Sequence, residues 1–400
     1  MQSELLRSNS SLQGQQPGVQ ERWRLVHFSN HEVQDEEINE EASVTSSSTD
    51  VLTEYADMQH GVTCIPIIMA CREAGIVDWL RTSSGCQLRE LALLNVASVG
   101  HLAVAVRALV SIGMLQYDNQ GNLSYVADST LAASFDCIPA AVMELCSADM
   151  HQWLKAEQGP LQLKKWVDMV VQRWPGVQCA MVCAFLDGAL ILPLLMALTQ
   201  AGWIQDGAVD VSRASSSVRS LLVVLFKSKG WLSEKQSKLR TSLLLTNQGA
   251  WISQRVLSAG VAVSYRPLLS KLRQLLLSNP GEVFTRDVNE SEEHVDRTLN
   301  VIGSGFQHTR YFSAMAQQVI SIIRGSAAGK QPRYIVDTGC GDGTLLCMLY
   351  EAVRKAEGGG AEMQLTMVGV DYNADSLVAT RNTCSRKNVP LIAVQGEHLP

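Results

Sequence analysis

A short β-branched run, Tyr334-Ile335-Val336-Asp337, opens directly into Thr338-Gly339-Cys340-Gly341-Asp342-Gly343, and a helical pattern follows from Thr344 to Arg354. Glycines at alternate positions let the backbone bend where side chains would forbid it. The pattern continues with a second strand, Leu365 to Val370, ending in Asp371-Tyr372-Asn373. A helix from Asp375 to Arg386 and a third strand from Pro390 to Val394 come next, with Gly396-Glu397 at its end. Strands alternating with helices at this spacing predict a parallel, Rossmann-like α/β layer. The run Gly358-Gly359-Gly360 reads as a surface loop between helix and strand.

Strand, glycine loop and helix in this order suit a nucleotide-type ligand, with the first helical N–H groups free to meet a carboxylate. The dinucleotide fingerprint G-x-G-x-x-G would need glycine at 344, where the chain has Thr344, so a nicotinamide cofactor is set aside. Asp337 at the strand end repels a pyrophosphate and attracts a ligand carrying an ammonium and a sulfonium, which points to S-adenosylmethionine. The cofactor-binding set expected is Asp337, Gly339, Gly341 and Gly343, then Asp371 on the ribose hydroxyls with Tyr372 beside it, and Glu397 near the adenine. Cys340 reads as an ordinary loop residue because no base adjoins it.

Upstream, the 400 residues leave room for further domains, and a hydrophobic content of 46% suffices for buried cores. Residues 1–50 are rich in Ser, Gln and Glu with acidic clusters such as Asp35-Glu36-Glu37, which predicts a disordered leader rather than a signal peptide. Ten cysteines without a C-x-x-C pair fit a reducing, cytoplasmic setting. The apolar stretch Ala189 to Ala201, interrupted by Pro193, is short of the roughly 20 residues of a membrane span, so no membrane association is expected. A net charge of −6 argues against nucleic acid as partner.

Residues 51–178 read as helical and winged-helix-like: helices at Leu88 to Leu94 and Val99 to Ile112, then short strands Met114 to Tyr117 and Leu123 to Val126 around Asp118-Asn119-Gln120-Gly121. The second helix carries only His101 and Arg107 among apolar residues, so it is expected to be buried against a dimer partner or neighbouring domain rather than to read DNA. Residues 179–280 read as a diverged second copy, with helices Cys179 to Gly202 and Val218 to Lys229 feeding a hairpin in which Gly230-Trp231-Leu232 and Ser242 to Thr246 flank a polar turn, before Asn247-Gln248-Gly249. Trp153, Trp166 and Trp174 between the copies are expected in the core. Residues 281–333 are linking helices and 334–400 the first half of the cofactor domain. The fold class is therefore mixed: a mostly α, winged-helix-like N-terminal region followed by a truncated α/β methyltransferase domain.

The segment Asn300-Val301-Ile302-Gly303-Ser304-Gly305-Phe306-Gln307-His308-Thr309-Arg310-Tyr311-Phe312 precedes the helix before Tyr334. Together with Val336 to Leu346, Val368 to Asn373 and Leu377 to Thr380, it resembles the polyketide-synthase-associated C-methyltransferases of the apratoxin loading-module type, over Asp296 to Pro400. That resemblance implies metal-assisted methylation of a malonyl or acyl group carried on an acyl carrier protein. It implies His308 as catalytic residue and metal ligand, Gln307 as a weaker ligand for iron or manganese, and Tyr311 closing over the cofactor. His294 lies in Glu290-Ser291-Glu292-Glu293-His294, read as a solvated acidic face with a ligand role as the alternative. The family's sheet carries further strands beyond the third, so a chain stopping at Pro400 is expected to be a truncated gene model, an expression fragment or the front end of a larger synthase. Competing readings are a small-molecule O- or N-methyltransferase with a winged-helix dimerisation domain, and a non-catalytic interaction module with a vestigial cofactor half.

Overall fold

The computed structural model describes residues 47–83, 85–126, 130–155, 159–205, 207–233, 242–286, 292–326, 331–356 and 365–396. The leader expected at 1–50 lies outside them except for its last residues, which begin the first helix. Two long helices organise the N-terminal part, α1 (Ser47–Glu73) and, further along, the apolar Ala180–Gln200. A Cβ at Gly61 would sit 2.1 Å from the Phe185 carbonyl oxygen, and one at Gly188 would sit 2.0 Å from that of Met58. Reciprocal glycines thus bring the two backbones into direct contact, closer than any side chain permits.

Helices α2 (Leu88–Leu94) and α3 (Val99–Ser111) lead into β1 (Leu115–Tyr117) and β2 (Leu123–Tyr125), antiparallel with Leu115 opposite Tyr125. The turn is the expected one: Gly121 has φ +80°, and Asp118 Oδ1 accepts the amides of Gln120 and Asn122 at 2.8 Å each. α3 was expected to be buried against a dimer partner or a neighbouring domain. Its Leu102, Ala105, Val106 and Leu109 are buried, while Val104 and Arg107 on the opposite face are exposed.

Helix α4 (Gly159–Val171) carries buried Trp166, whose ring packs 6.2 Å from buried Trp174. The long apolar helix is α5 (Ala180–Gln200), and its extent corrects the sequence reading: 21 residues are enough, by length and composition, to cross a membrane. A helix apolar all round is buried either in lipid or in protein, and 83% of its apolar window is buried here inside the chain's own core. Its charged residue, Asp187, is buried and partnered by Trp174 Nε1 at 2.7 Å and Lys229 Nζ at 2.9 Å. The same ammonium reaches Glu54 of α1 at 2.5 Å.

Strands β3 (Ile204–Gln205) and β4 (Ala208–Asp210), helix α6 (Ser216–Ser228) and β5 (Ser242–Leu244) follow, forming an antiparallel sheet in the order β3-β4-β5. An isolated bridge from Leu232 to Leu245 closes the expected hairpin. Its polar turn, residues 234–241, lies outside the described residues, and Asn247-Gln248-Gly249 come after the second strand as expected. Those residues start helix α7 (Asn247–Arg255), because Thr246 Oγ1 accepts the Gly249 amide and caps it, and Gly249 packs on Trp231.

The likeness between the two halves rests on a shared helix ending. Gly113 and Gly230 take positive φ and donate three residues back, while Met114 and Trp231 donate five residues back. Gly202 and Trp203 end α5 in the same way, so the shared ending is a C-terminal cap that recurs along the chain.

The last part begins with α8 (Gly260–Ser264) and the 29-residue α9 (Arg297–Gly325). Strands β6 (Tyr334–Thr338), β7 (Thr366–Asp371) and β8 (Leu391–Gln395) form a parallel sheet in that order, with Val336 opposite Val368 and Val368 opposite Ile392. Helices α10 (Thr344–Ala356) and α11 (Ala374–Arg386) join them. Leu346, Cys347, Leu349, Val353, Leu377 and Cys384 form a second core with Ala316 and Ile323 of α9. The opposite face of the sheet, with Tyr334, Val336, Ile392 and Val394, is exposed. All ten cysteines are free thiols.

Candidate functional site

The tips of β6 and β7 and the bend between β6 and α10 form the site. Gly339, Gly341 and Gly343 have φ of +80°, +56° and +79°, a conformation that side chains resist. The three glycines face different things. A Cβ at Gly339 would meet nothing within 4 Å, whereas one at Gly343 would fall 2.8 Å from Thr380 Cγ2 and 3.4 Å from Cys384 Sγ. Gly339 is the open position. Gly343 makes room for α11 behind the loop, not for a ligand in front of it.

The loop amides are largely spoken for. Gly339 and Cys340 donate to the Val370 carbonyl at 2.7 and 3.1 Å, and Gly341 donates to Asp371 Oδ2 at 3.0 Å. The first amide of α10, Thr344, donates to Asp342 Oδ1 at 3.0 Å. The expectation of a helix start free to bind a carboxylate therefore fails at its first position, because Asp342 caps the helix itself. The signal was present in the sequence as an aspartate two residues before a helical run.

Among the described residues, three carboxylates and no cation edge this bend. Asp371 is buried, and each of its oxygens already takes one backbone amide, Gly341 at 3.0 Å and Asn373 at 2.9 Å. A carboxylate oxygen has a second lone pair, so both remain able to accept from a ligand hydroxyl. Asp337 is half-buried and takes no hydrogen bond among the described residues. Burial, and then the neighbouring Asp371 charge, push its carboxyl above the usual carboxylate range.

The first turns of α9 wall the site, which the sequence did not reveal. Arg297 donates from Nε and Nη2 to Glu292 Oε2 at 2.7 and 2.6 Å, and its guanidinium lies 6.0 Å from the centre of the Tyr372 ring. Val301 Cγ1 stands 3.7 Å from where a Gly341 Cβ would be. Glu292 and His294 were expected on a solvated face, yet their side chains are only 12% and 15% exposed. The ion pair holds Glu292, and the His294 ring packs edge-on to Phe284 at 5.0 Å.

The residues assigned to metal and catalysis do not converge. They were read as a segment before a helix, but all lie inside α9. Gln307 donates to the Ser258 carbonyl, His308 Nδ1 lies 3.3 Å from Ser304 Oγ of its own helix, and Tyr311 is exposed. Consecutive helical residues point about 100° apart and cannot grip one ion. Among the described residues, no three His, Cys, Asp or Glu side chains gather to hold a metal. Glu397 lies outside the described residues.

Comparison with known families gives three matches in chain order. Residues 51–117 match the AprA N-terminal domain, 187–279 the AprA winged helix domain, and 292–398 the AprA MT2-like domain. No individually curated protein matches the chain. The winged-helix match runs from Asp187 inside α5 to Asn279, and the methyltransferase match opens at Glu292 and takes in α9 with the whole parallel sheet. Carrying all three domains in this order, the chain belongs to the AprA-type methyltransferases.

Proposed function

We propose that the protein binds S-adenosylmethionine across the tips of β6 and β7 and transfers its methyl group to carbon of an acyl or malonyl thioester held on an acyl carrier protein. One observation carries the cofactor half of this reading. Burial, and then the Asp371 charge, hold the Asp337 carboxyl above the usual carboxylate range, and no cation among the described residues offsets this. A ligand bearing an ammonium and a sulfonium relieves that repulsion, and a phosphate would add to it. The sulfonium supplies an activated methyl carbon, which a carbanion attacks as the sulfur leaves neutral.

The chain's own residues bind and orient. Asp371 ties Gly341 down and offers its remaining lone pairs to the ribose hydroxyls. Asp337 takes the ammonium, open Gly339 lets the ligand lie against the backbone, and Tyr372, braced by Arg297, flanks the sugar and base. The metal role read for His308 and Gln307 is a separate proposal that this arrangement does not use. The carrier-bound acceptor rests on the resemblance of the Asp296 to Pro400 segment and on the AprA-type domain set; a polyketide assembly system is the context both suggest.

Calorimetry of the full chain with S-adenosylmethionine tests the cofactor reading. Asp371→Ala should weaken binding roughly 10- to 100-fold, the range of one or two hydrogen bonds to a charged group. An unchanged affinity in that variant would remove the reading. Methyl transfer to malonyl-loaded carrier protein, compared with free small-molecule alcohols and amines, then separates carbon methylation on a carrier from an O- or N-methyltransferase.

A further inference from the structure

Thr380 of α11 is fully buried, cannot reach a ligand in front of the loop, and touches the bend from behind at several points. Its Oγ1 lies 2.8 Å from the Gly341 carbonyl oxygen, 2.9 Å from that of Ser376 and 3.4 Å from Cys340 Sγ. A hydroxyl has one proton and two lone pairs. Ser376, four residues back, is the ordinary acceptor for a helical threonine, and its carbonyl is also in reach of the helix's own amide ladder. Gly341 gains more from the proton. Its amide is held by Asp371, so Thr380 completes a grip on both sides of one left-handed peptide. The methyl of the same side chain fills the space left by Gly343 and lies 3.4 Å from where a Gly369 Cβ would be.

We infer that Thr380 is a positioning residue for the cofactor site, holding the Gly339 to Gly343 bend in its binding shape through its hydroxyl. The inference rests on the cofactor reading given above, but the clamp itself is a property of the free protein. It predicts that affinity for the cofactor depends on a side chain that never contacts it. Thr380→Val keeps the volume and loses the proton, while Thr380→Ser keeps the hydroxyl and loses the methyl.

The test measures S-adenosylmethionine affinity by calorimetry and amide hydrogen exchange of the free protein over residues 338–344, for wild type and both variants. Thr380→Val should bind roughly tenfold more weakly, the scale of one net buried hydrogen bond, with faster exchange at Gly341 and Gly343 and unchanged exchange in the body of α10. Thr380→Ser should bind within about threefold of wild type by the same reasoning. Wild-type affinity and loop exchange in Thr380→Val, or an equal loss in Thr380→Ser, overturns the inference. If wild type gives no heat with S-adenosylmethionine, the cofactor reading falls, and the exchange comparison still decides for or against the clamp.

Discussion

Two carboxylates side by side make the site's behaviour with pH predictable. Asp337 titrates above the usual carboxylate range in the folded chain, so its neutral form is favoured there. The sign follows from linkage: this residue's contribution to stability is present below the ordinary carboxylate pKa and is lost as pH rises through the raised value. Asp337→Asn should flatten that part of the stability curve, as read by urea denaturation from mildly acidic to neutral pH. Cofactor binding carries the opposite slope, because a cationic ligand favours the ionised acid. Affinity should rise across the same window with proton release, seen as a buffer-dependent heat that Asp337→Asn abolishes; a heat independent of buffer in wild type would contradict the pairing. These carboxylates were legible in the sequence because a strand, a bend and a helix are local, and their order places Asp337 and Asp371 at neighbouring tips. Thr380 and Arg297 were not. Each meets the loop or Tyr372 across dozens of residues of chain, and neither sits in a pattern that periodicity can mark.

At the scale of whole elements, the glycines of α9 explain the main misreading. The sequence reading placed the segment holding Gly303-Ser304-Gly305 ahead of a helix, whereas it lies inside α9. In the fold, a Cβ at Gly303 would lie 2.7 Å from the Val261 amide nitrogen and 2.8 Å from Gly260, so the residue is a helix crossing point. Backbone meets backbone there, and no side chain can swing aside. Gly303→Ala should cost about 1–3 kcal/mol of stability, as overpacking does. It should also weaken cofactor binding, since Arg297 and Val301 ride on the displaced turn. Gly305→Ala, which meets open space, is the control, and equal behaviour of the two variants in thermal melts and calorimetry would refute the crossing argument.

A second element-scale expectation concerns the ion cluster joining α1, α5 and Lys229 at the end of α6. Lys229→Met strands the Asp187 and Glu54 carboxylates without their cation. Removing one partner of a buried ion pair costs about 3–5 kcal/mol; the lower end applies because Glu54 keeps a quarter of its side-chain exposure. Burial already raises Asp187, so the variant should regain stability as pH falls and that acid is neutralised. Denaturation at neutral and mildly acidic pH checks both the loss and its partial reversal.

For the whole molecule, the balance between its two cores is the governing fact. The first core runs from α1 to the start of α9 and encloses a helix apolar enough to be mistaken for a membrane span. The second is smaller, and much of its cover comes from α9, whose Ala316 and Ile323 pack under α10 while Gln307 and Gly303 bind the same helix to the first core. Among the described residues, the sheet gains a helical layer on that side alone. Parallel sheets are normally covered on both faces, yet here Tyr334, Val336, Ile392 and Val394 are 64%, 49%, 54% and 43% exposed. β6 is paired only with β7 among the described residues, so an apolar face adjoins an open edge, the combination that promotes self-association. The protein should therefore bind an apolar dye and show a concentration-dependent sedimentation coefficient. Val336→Lys with Ile392→Lys places charges at the centre of the bare face without touching the core beneath, because strand residues alternate between faces. That double variant should lose most of the dye signal and sediment as a monomer while keeping the helical circular dichroism and the melting temperature of the larger core. Retained dye binding would locate the exposed apolar surface elsewhere, and loss of the helical signal would mean that this face is already covered in solution.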